Sequence, residues 1–189
     1  MNTLQQIMEH NQNFVVSGAY KQFQTDKFPD KKLVIVSCMD TRLTELLPRA
    51  LNLKNGDAKI IKIAGGVISH PFGSVMRSIM VAVYELGAEE VCLIGHHGCG
   101  MASIDPKTTM SRMVDRGIPE DRINMLENAG IDLTQWLHGF ACVEEAVSEN
   151  VKMIRNHPLL PSDVRVHGLV VDPETGKLDI IVDGYQEGN

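Results

Sequence analysis

Continuous apolar runs bounded by polar residues or glycine recur along the chain, and they predict buried strands. The runs are KKLVIVS at 31–37, AKIIKIAGG at 58–66 and VCLIGHHGCG at 91–100. They are short and rich in β-branched residues, which favours strands over helices. The first run shows no apolar–polar alternation, so both of its faces are expected to be buried, as in a parallel sheet.

Apolar residues at helical spacing separate these strands. Residues 42–51 have this spacing, with Pro48 inside. Residues 73–88 show it best, and there we expect Ser74 to be the N-cap and Gly87 to end the helix. The order strand–helix–strand–helix–strand predicts a parallel sheet with right-handed crossovers. Two further helical stretches are predicted at 101–130 and 140–158.

The two ends of the chain differ from this central pattern. Residues 2–16 predict a helix whose apolar face needs a surface to pack on, and VRVHGLVVD, PETG and KLDIIVDG predict a strand, a turn and a strand. The predicted fold is therefore α/β, with a central, mostly parallel β-sheet flanked by helices, an N-terminal helical arm and a C-terminal β-hairpin. We expect a single domain over 1–189, with the arm at 1–30 and the α/β core at 31–183.

Composition excludes several classes of function. Of 189 residues, 43% are hydrophobic, which is typical of a globular domain, and the net charge of −6 argues against nucleic acid as a partner. No apolar run approaches the roughly 20 residues that span a bilayer, and the N-terminal residues do not resemble a secretory signal, so we expect a cytoplasmic protein. In that compartment four cysteines indicate metal binding or catalysis rather than disulfides.

Candidate metal ligands follow two of the predicted strands. The first strand leads into CMDTR at 38–42 and the third into HHGCG at 96–100. The carboxyl ends of parallel strands lie at one edge of a sheet, so Cys38, His96 and Cys99 are expected to converge. Sulfur and imidazole ligands suit tetrahedral Zn²⁺, and three protein ligands leave a fourth position open, as in catalytic sites. A structural zinc site or ordinary buried thiols are the alternatives.

Asp40 and Arg42 lie beside the first of these cysteines. Alternate residues of an extended segment share a face, so both side chains are expected to point toward the same cavity as Cys38. Asp40 would then either accept a hydrogen bond from water on the metal or bind the metal directly and close the site. Arg42 would hold that carboxylate in a bidentate ion pair. A plain structural ion pair is the alternative reading.

The combination of C-x-D-x-R and H-x-x-C resembles the β-class carbonic anhydrases. The AGG at 64–66, the GHHGCGM run and HGLVVDPETGKL near the C-terminus are also similar to that family, and the resemblance covers about residues 33–183. It implies one zinc ion per chain with ligands Cys38, His96 and Cys99, and a catalytic dyad of Asp40 and Arg42.

The resemblance also implies an activity. This is the reversible hydration of carbon dioxide to bicarbonate and a proton, with hydroxide on the zinc as the nucleophile. The backbone amides of Gly65 and Gly66 are candidate liners of the substrate pocket. Two alternatives stay open: hydrolysis of carbon disulfide or carbonyl sulfide at the same site, and a catalytically silent zinc-binding homologue.

Finer features of the family are expected as well. The motifs look like the minimal archaeal and actinobacterial branch, whose members are dimers or tetramers, so we expect a homodimer or homotetramer. Ile35 stands where some bacterial members have a Trp of a regulatory bicarbonate site, so no such site is expected. Cys92, inside a strand, and Cys142, on a predicted helix face, are expected to be structural.

Overall fold

A five-stranded sheet forms the centre of the computed structural model, which describes residues 1–186. The strand order is β2-β1-β3-β4-β5. Strand β1 pairs in parallel with both β2 and β3, β3 pairs in parallel with β4, and β5 is antiparallel to β4. The predicted fold class is therefore confirmed, including the terminal antiparallel pair. The strands are β1 (Leu33–Cys38), β2 (Ala58–Ile63), β3 (Glu90–His96), β4 (Arg165–Val171) and β5 (Leu178–Val182).

Seven α-helices accompany the sheet within the described residues. They are α1 (Thr3–Val16), α2 (Leu43–Ala50), α3 (Ser74–Tyr84), α4 (Pro106–Asp115), α5 (Glu120–Asn128), α6 (Leu133–Leu137) and α7 (Val143–Arg155). The region predicted as broken helices at 101–130 contains α4 and α5. The five-residue α6 was not predicted, because such a short segment carries no helical period.

The helix predicted at 73–88 begins and ends differently from the sequence expectation. Gly73 occupies the N-cap with extended backbone, and Ser74 is the first helical residue, so Ser74 is not the cap. The helix ends at Tyr84, before Gly87. A residue with extended φ and ψ precedes the first helical residue, and here glycine fills that place without a side-chain hydrogen bond.

Apolar side chains on the two faces of the sheet form two cores. Val34 and Val36 of β1 join one core with residues of α3 and α7, whereas Ile35 joins the other with Leu43 and Leu47 of α2. Both faces of β1 are buried, as the uninterrupted apolar run predicted. The second core also contains Cys38 and Cys99 and therefore lies directly beneath the candidate metal ligands.

The N-terminal arm carries apolar side chains that the described chain leaves uncovered. Helix α1 confirms the predicted helix at 2–16, and a 3-10 turn follows at Ala19–Phe23. None of the described residues of α1 is buried, and its exposed apolar side chains are Leu4, Ile7, Met8, Val15 and Val16. Among residues 1–186, no helix combines the length and the apolar character needed to cross a membrane.

The strand order places a crevice at the end of β1. The chain leaves β1 to form β2 on one side and then crosses to form β3 on the other side. Such a reversal of winding direction leaves a crevice beyond the carboxyl ends of the two adjacent strands, where open α/β sheets bind ligands.

Candidate metal centre

Three candidate ligands converge at this crevice. Cys38 is the last residue of β1, His96 is the last residue of β3, and Cys99 follows three residues later. Their ligand atoms all lie within 4.8 Å of one another, and the three residues are buried. They form the one group of potential metal ligands of this kind within residues 1–186. The sequence-predicted convergence of these residues is therefore present in the fold.

The donor atoms fit a tetrahedral zinc ion. The two sulfur atoms of Cys38 and Cys99 are 3.8 Å apart. Two thiolates on tetrahedral zinc, at about 2.3 Å from the metal, would be separated by about 3.8 Å. The carbonyl of His97 lies 2.9 Å from Nδ1 of His96, so that nitrogen carries the proton and donates to it. The buried Nε2 of His96 then presents a lone pair and has no hydrogen-bond partner in the described chain.

Arg42 clamps the carboxylate of Asp40 beside these ligands. Its Nε and Nη2 donate to Oδ1 and Oδ2 of Asp40 at 3.0 and 2.9 Å, and its backbone N–H also donates to Oδ1. The hydrogen bonds from Arg42 hold the pKa of the Asp40 carboxyl well below its usual range. Oδ2 of Asp40 lies 3.8 Å from Nε2 of His96, so the clamped carboxylate faces the ligand group.

Arg42 also joins the two loops that carry the ligands. Its Nη2 donates to the carbonyl of Gly98 at 3.1 Å, and Gly98 lies between His96 and Cys99. One guanidinium therefore fixes both the carboxylate after β1 and the loop after β3. The bidentate ion pair expected from the sequence is present, and the bond to Gly98 is an addition that spacing alone did not indicate.

Lys62 of β2 is a charged neighbour that the sequence analysis missed. Its Nζ donates to the carbonyl of Cys38 at 3.3 Å. Burial lowers the pKa of Lys62, although the nearby negative groups of Cys38 and Asp40 act in the opposite direction. Burial also raises the pKa of the Cys99 thiol. The site thus combines desolvated sulfur with cationic groups on two sides.

The glycine pair after β2 packs tightly against the ligand loops. A Cβ at Gly66 would lie 3.4 Å from the carbonyl oxygen of Ile94 and 3.5 Å from the amide nitrogen of Cys38, and φ is +70°. A Cβ at Gly65 would lie 2.8 Å from Cγ of Met101. Both residues therefore lie next to the ligand loops, where glycine permits a close approach.

A second close approach involves the loop between α6 and α7. A Cβ at Gly139 would lie 1.8 Å from the carbonyl oxygen of Met101, two residues beyond Cys99. Phe140 packs with Met101 against the core that contains Cys38 and Cys99. The segment 139–140 thus supports the loop that carries Cys99, a contact between distant positions that no local sequence pattern reveals.

The other two cysteines lie outside the ligand group. Burial raises the pKa of Cys92, within β3, to about 12, and this fits its expected structural role. Cys142 is the N-cap residue of α7 and its thiol donates to Glu144. The expectation that Cys142 lies on a helix face is therefore wrong, because the helix begins one residue later.

Comparisons with known proteins agree with this geometry. Residues 33–178 match the family model described as carbonic anhydrase. The "Putative carbonic anhydrase YvdA" of Bacillus subtilis is 60% identical over 98% of this chain and 94% of its own length. The crystal structure of β-carbonic anhydrase isoform I from Trichomonas vaginalis superposes with a TM-score of 0.90, at 32% identity over 98% of this chain and 100% of that chain.

A relative with a different named activity is also similar. The protein named carbon disulfide hydrolase of Acidithiobacillus thiooxidans is 32% identical over 79% of this chain and 76% of its own length. The high identity to a Bacillus protein supports the family but not specifically the archaeal and actinobacterial branch suggested by the motifs.

Proposed function

Because the chain belongs to the β-class carbonic anhydrase family, we propose that it catalyses the reversible hydration of carbon dioxide to bicarbonate and a proton. The observation that carries this proposal is the fit of the Cys38, His96 and Cys99 donor atoms to one zinc ion, next to a clamped carboxylate. Zinc, when bound there, supplies the Lewis acidity that makes water a nucleophile near neutral pH.

Asp40 is the proposed orienting group of the reaction. Its carboxylate is ionised across the physiological range, because Arg42 depresses its pKa. An ionised carboxylate accepts hydrogen bonds and donates none, so it can orient a nucleophilic water by accepting a hydrogen bond from it. Asp40 and Arg42 thus form the proposed catalytic dyad.

Arg42 is proposed to keep Asp40 away from the metal position. Oδ2 of Asp40, already 3.8 Å from Nε2 of His96, can become a fourth ligand if the carboxylate rotates. The bidentate bonds of Arg42 oppose that rotation and leave the fourth position for water and substrate. The amides of Gly65 and Gly66 stay in the proposal as pocket liners.

Stopped-flow hydration of carbon dioxide, with zinc content measured on the same samples, tests the proposal. We expect turnover in proportion to one zinc per chain, and Asp40→Asn should lose at least about 100-fold of it while retaining zinc. Asp105→Asn is the matched control, because Asp105 caps α4 and Asn also caps helices. Full zinc content without turnover would reject the proposed reaction, and wild-type turnover in Asp40→Asn would reject the role of that residue.

The similarity to a carbon disulfide hydrolase makes a second substrate class worth assaying. Carbon disulfide and carbonyl sulfide are linear triatomic molecules like carbon dioxide. Release of sulfide from either substrate, in zinc-loaded protein that does not hydrate carbon dioxide, would assign the chain to that hydrolase activity. Inactivity toward all three would favour a silent zinc-binding homologue.

The exposed face of α1 supports a homodimer or a larger homo-oligomer. Leu4, Ile7 and Met8 recur at helical spacing and are more than half exposed. Contiguous apolar surface of this kind is typical of a subunit interface. Light scattering on the double variant Leu4→Glu/Ile7→Glu should give a smaller species than wild type, whereas Gln12→Glu on the same helix should not change the mass. A monomeric wild-type protein would reject this assembly.

A further inference from the structure

Lys62 occupies a special place on the edge strand β2. Ile61 and Ile63 pack against the first core, so alternation along the strand directs Lys62 to the opposite face. That face carries the second core, which includes Cys38 and Cys99. In the parallel register with β1, Lys62 lies opposite Ser37, one residue before Cys38. This register brings the long side chain of Lys62 within reach of the ligand loop.

The ammonium group of Lys62 contacts the backbone of a candidate ligand. Its hydrogen bond to the carbonyl of Cys38, at 3.3 Å, is part-buried. The amide of the next residue, Met39, donates to the carbonyl of Ile63 at 2.9 Å. Strand β2 therefore holds the segment 38–39 by two hydrogen bonds, one from the backbone and one from the side chain of Lys62.

The charge of Lys62 has no carboxylate partner beside the site. Two thiolates would neutralise the charge of one Zn²⁺ ion, and Asp40 pairs with Arg42. Lys62 makes no ion pair with a carboxylate among residues 1–186, so its positive charge is not neutralised locally. The group that it contacts is the carbonyl of Cys38, so the charge strengthens that hydrogen bond.

We propose that Lys62 is a positioning residue of the metal centre, which fixes the carbonyl of Cys38 and thereby the place of its sulfur atom. This inference rests on the proposed zinc site but not on the identity of the substrate. Groups that hydrogen-bond to the ligand residues orient the donors, and their loss typically costs 10- to 100-fold in metal affinity or activity. Lys62 acts through Cys38 rather than on the substrate.

Three substitutions separate the hydrogen bond from the charge. Lys62→Met removes both and should weaken zinc binding by about 10- to 100-fold. Lys62→Gln removes the charge and keeps a donor, so it should lie between Lys62→Met and wild type. Lys62→Arg keeps the charge and the donors and should bind zinc more tightly than Lys62→Met and close to wild type.

Lys59→Met is the matched control. Lys59 lies on the same strand and donates in the same way to a backbone carbonyl, that of Lys27, at 2.5 Å. Lys27 is not one of the candidate ligands, so this variant should bind zinc like wild type. An equal loss in Lys59→Met and Lys62→Met would mean that the effect comes from the stability of β2 and would overturn the proposal.

The experiment is a competition for zinc between each full-length variant and a chromophoric chelator, with turnover of carbon dioxide measured separately. Wild-type affinity in Lys62→Met would overturn the proposal, as would failure of Lys62→Arg to restore binding. A wild-type protein that binds zinc but does not hydrate carbon dioxide would reject only the proposed function. The affinity series would then still decide the role of Lys62.

Discussion

The contact between Gly139 and Met101 predicts that a single methyl group, far from Cys99 in sequence, disturbs the metal site. A Cβ at Gly139 would lie 1.8 Å from the carbonyl oxygen of Met101, and real Cβ atoms essentially never come closer than 3.0 Å. The substitution Gly139→Ala must therefore separate the two backbones by at least 3.0 − 1.8 = 1.2 Å. The left-handed backbone conformation is not involved, because φ of Gly139 is not positive.

A shift of this size exceeds what a zinc site tolerates. Metal–ligand distances are held within about 0.2 Å, and Met101 lies two residues from Cys99. We therefore expect Gly139→Ala to weaken zinc binding by about 10- to 100-fold. A misplacement of about 1 Å can also lower turnover by about 100-fold. Competition with a chromophoric chelator measures the affinity, and thermal unfolding of the metal-free protein measures any general loss of stability.

Gly100→Ala is the control, because Gly100 lies between Cys99 and Met101. A Cβ at Gly100 meets no atom of the described chain within 4 Å, so this variant should bind zinc like wild type. Unchanged zinc affinity in Gly139→Ala, with a lower melting temperature, would refute the reasoning. It would show that the segment 139–140 moves away and that the Cys99 loop keeps its position. An equal loss of affinity in Gly100→Ala would refute it as well.

Three further predictions concern stability and reactivity. Asn150→Ala should lower the free energy of unfolding, measured in urea titrations, by about 1–3 kcal/mol, because the buried amide of Ile68 loses Oδ1 of Asn150, its acceptor at 2.6 Å. A loss under about 0.5 kcal/mol, as for a neutral surface change, would contradict this. Leu43→Ala, at a fully buried position, should lower the free energy of unfolding by about 2–5 kcal/mol in the same assay. A much smaller loss would mean that the core around Leu43 closes in and leaves no cavity. Because burial raises the pKa of Cys92 to about 12, its thiol should resist iodoacetamide at pH 8 until urea unfolds the chain. Equal labelling of native and unfolded protein would be evidence against this protection. The same pKa shift stabilises the fold below the unfolded-state pKa of the thiol, and this contribution is lost as the pH rises toward 12.

The main elements of the fold could be predicted because their signals are local. Apolar β-branched runs identified β1 and β3, and the alternation of strands and helices indicated parallel pairing. The five-residue helix α6 was missed, because it is too short to show a period. The prediction that Ser74 is the N-cap was wrong. The residue type does not distinguish an N-cap from the first helical residue, whereas the backbone angles do.

The candidate metal ligands could be predicted from the sequence, whereas the residues that hold the ligand loops in place could not. Cys38 and His96 end adjacent strands, so the topology alone brings them together. Lys62 depends on the register between β1 and β2, and Gly139 depends on how a distant loop packs on Met101. Register and long-range packing are set by the assembled core rather than by any short motif, and for this reason the supporting residues emerged only from the structure.

The parallel ladder explains why this ligand pattern belongs to this strand order. Neighbouring strands lie about 4.8 Å apart, so donors at the ends of β1 and β3 can reach one metal ion between them. The loop after β3 brings the third candidate donor, Cys99, to the same place after the turn at Gly98. Arg42, at the start of α2, bonds to both Asp40 and Gly98, so one residue fixes the loop after β1 to the loop after β3. If another strand separated β1 from β3, Cys38 and His96 would be about 10 Å apart at their backbones, near the limit of what the two side chains together can span. The convergence of the candidate ligands therefore depends on the adjacency of β1 and β3 as much as on the residue types.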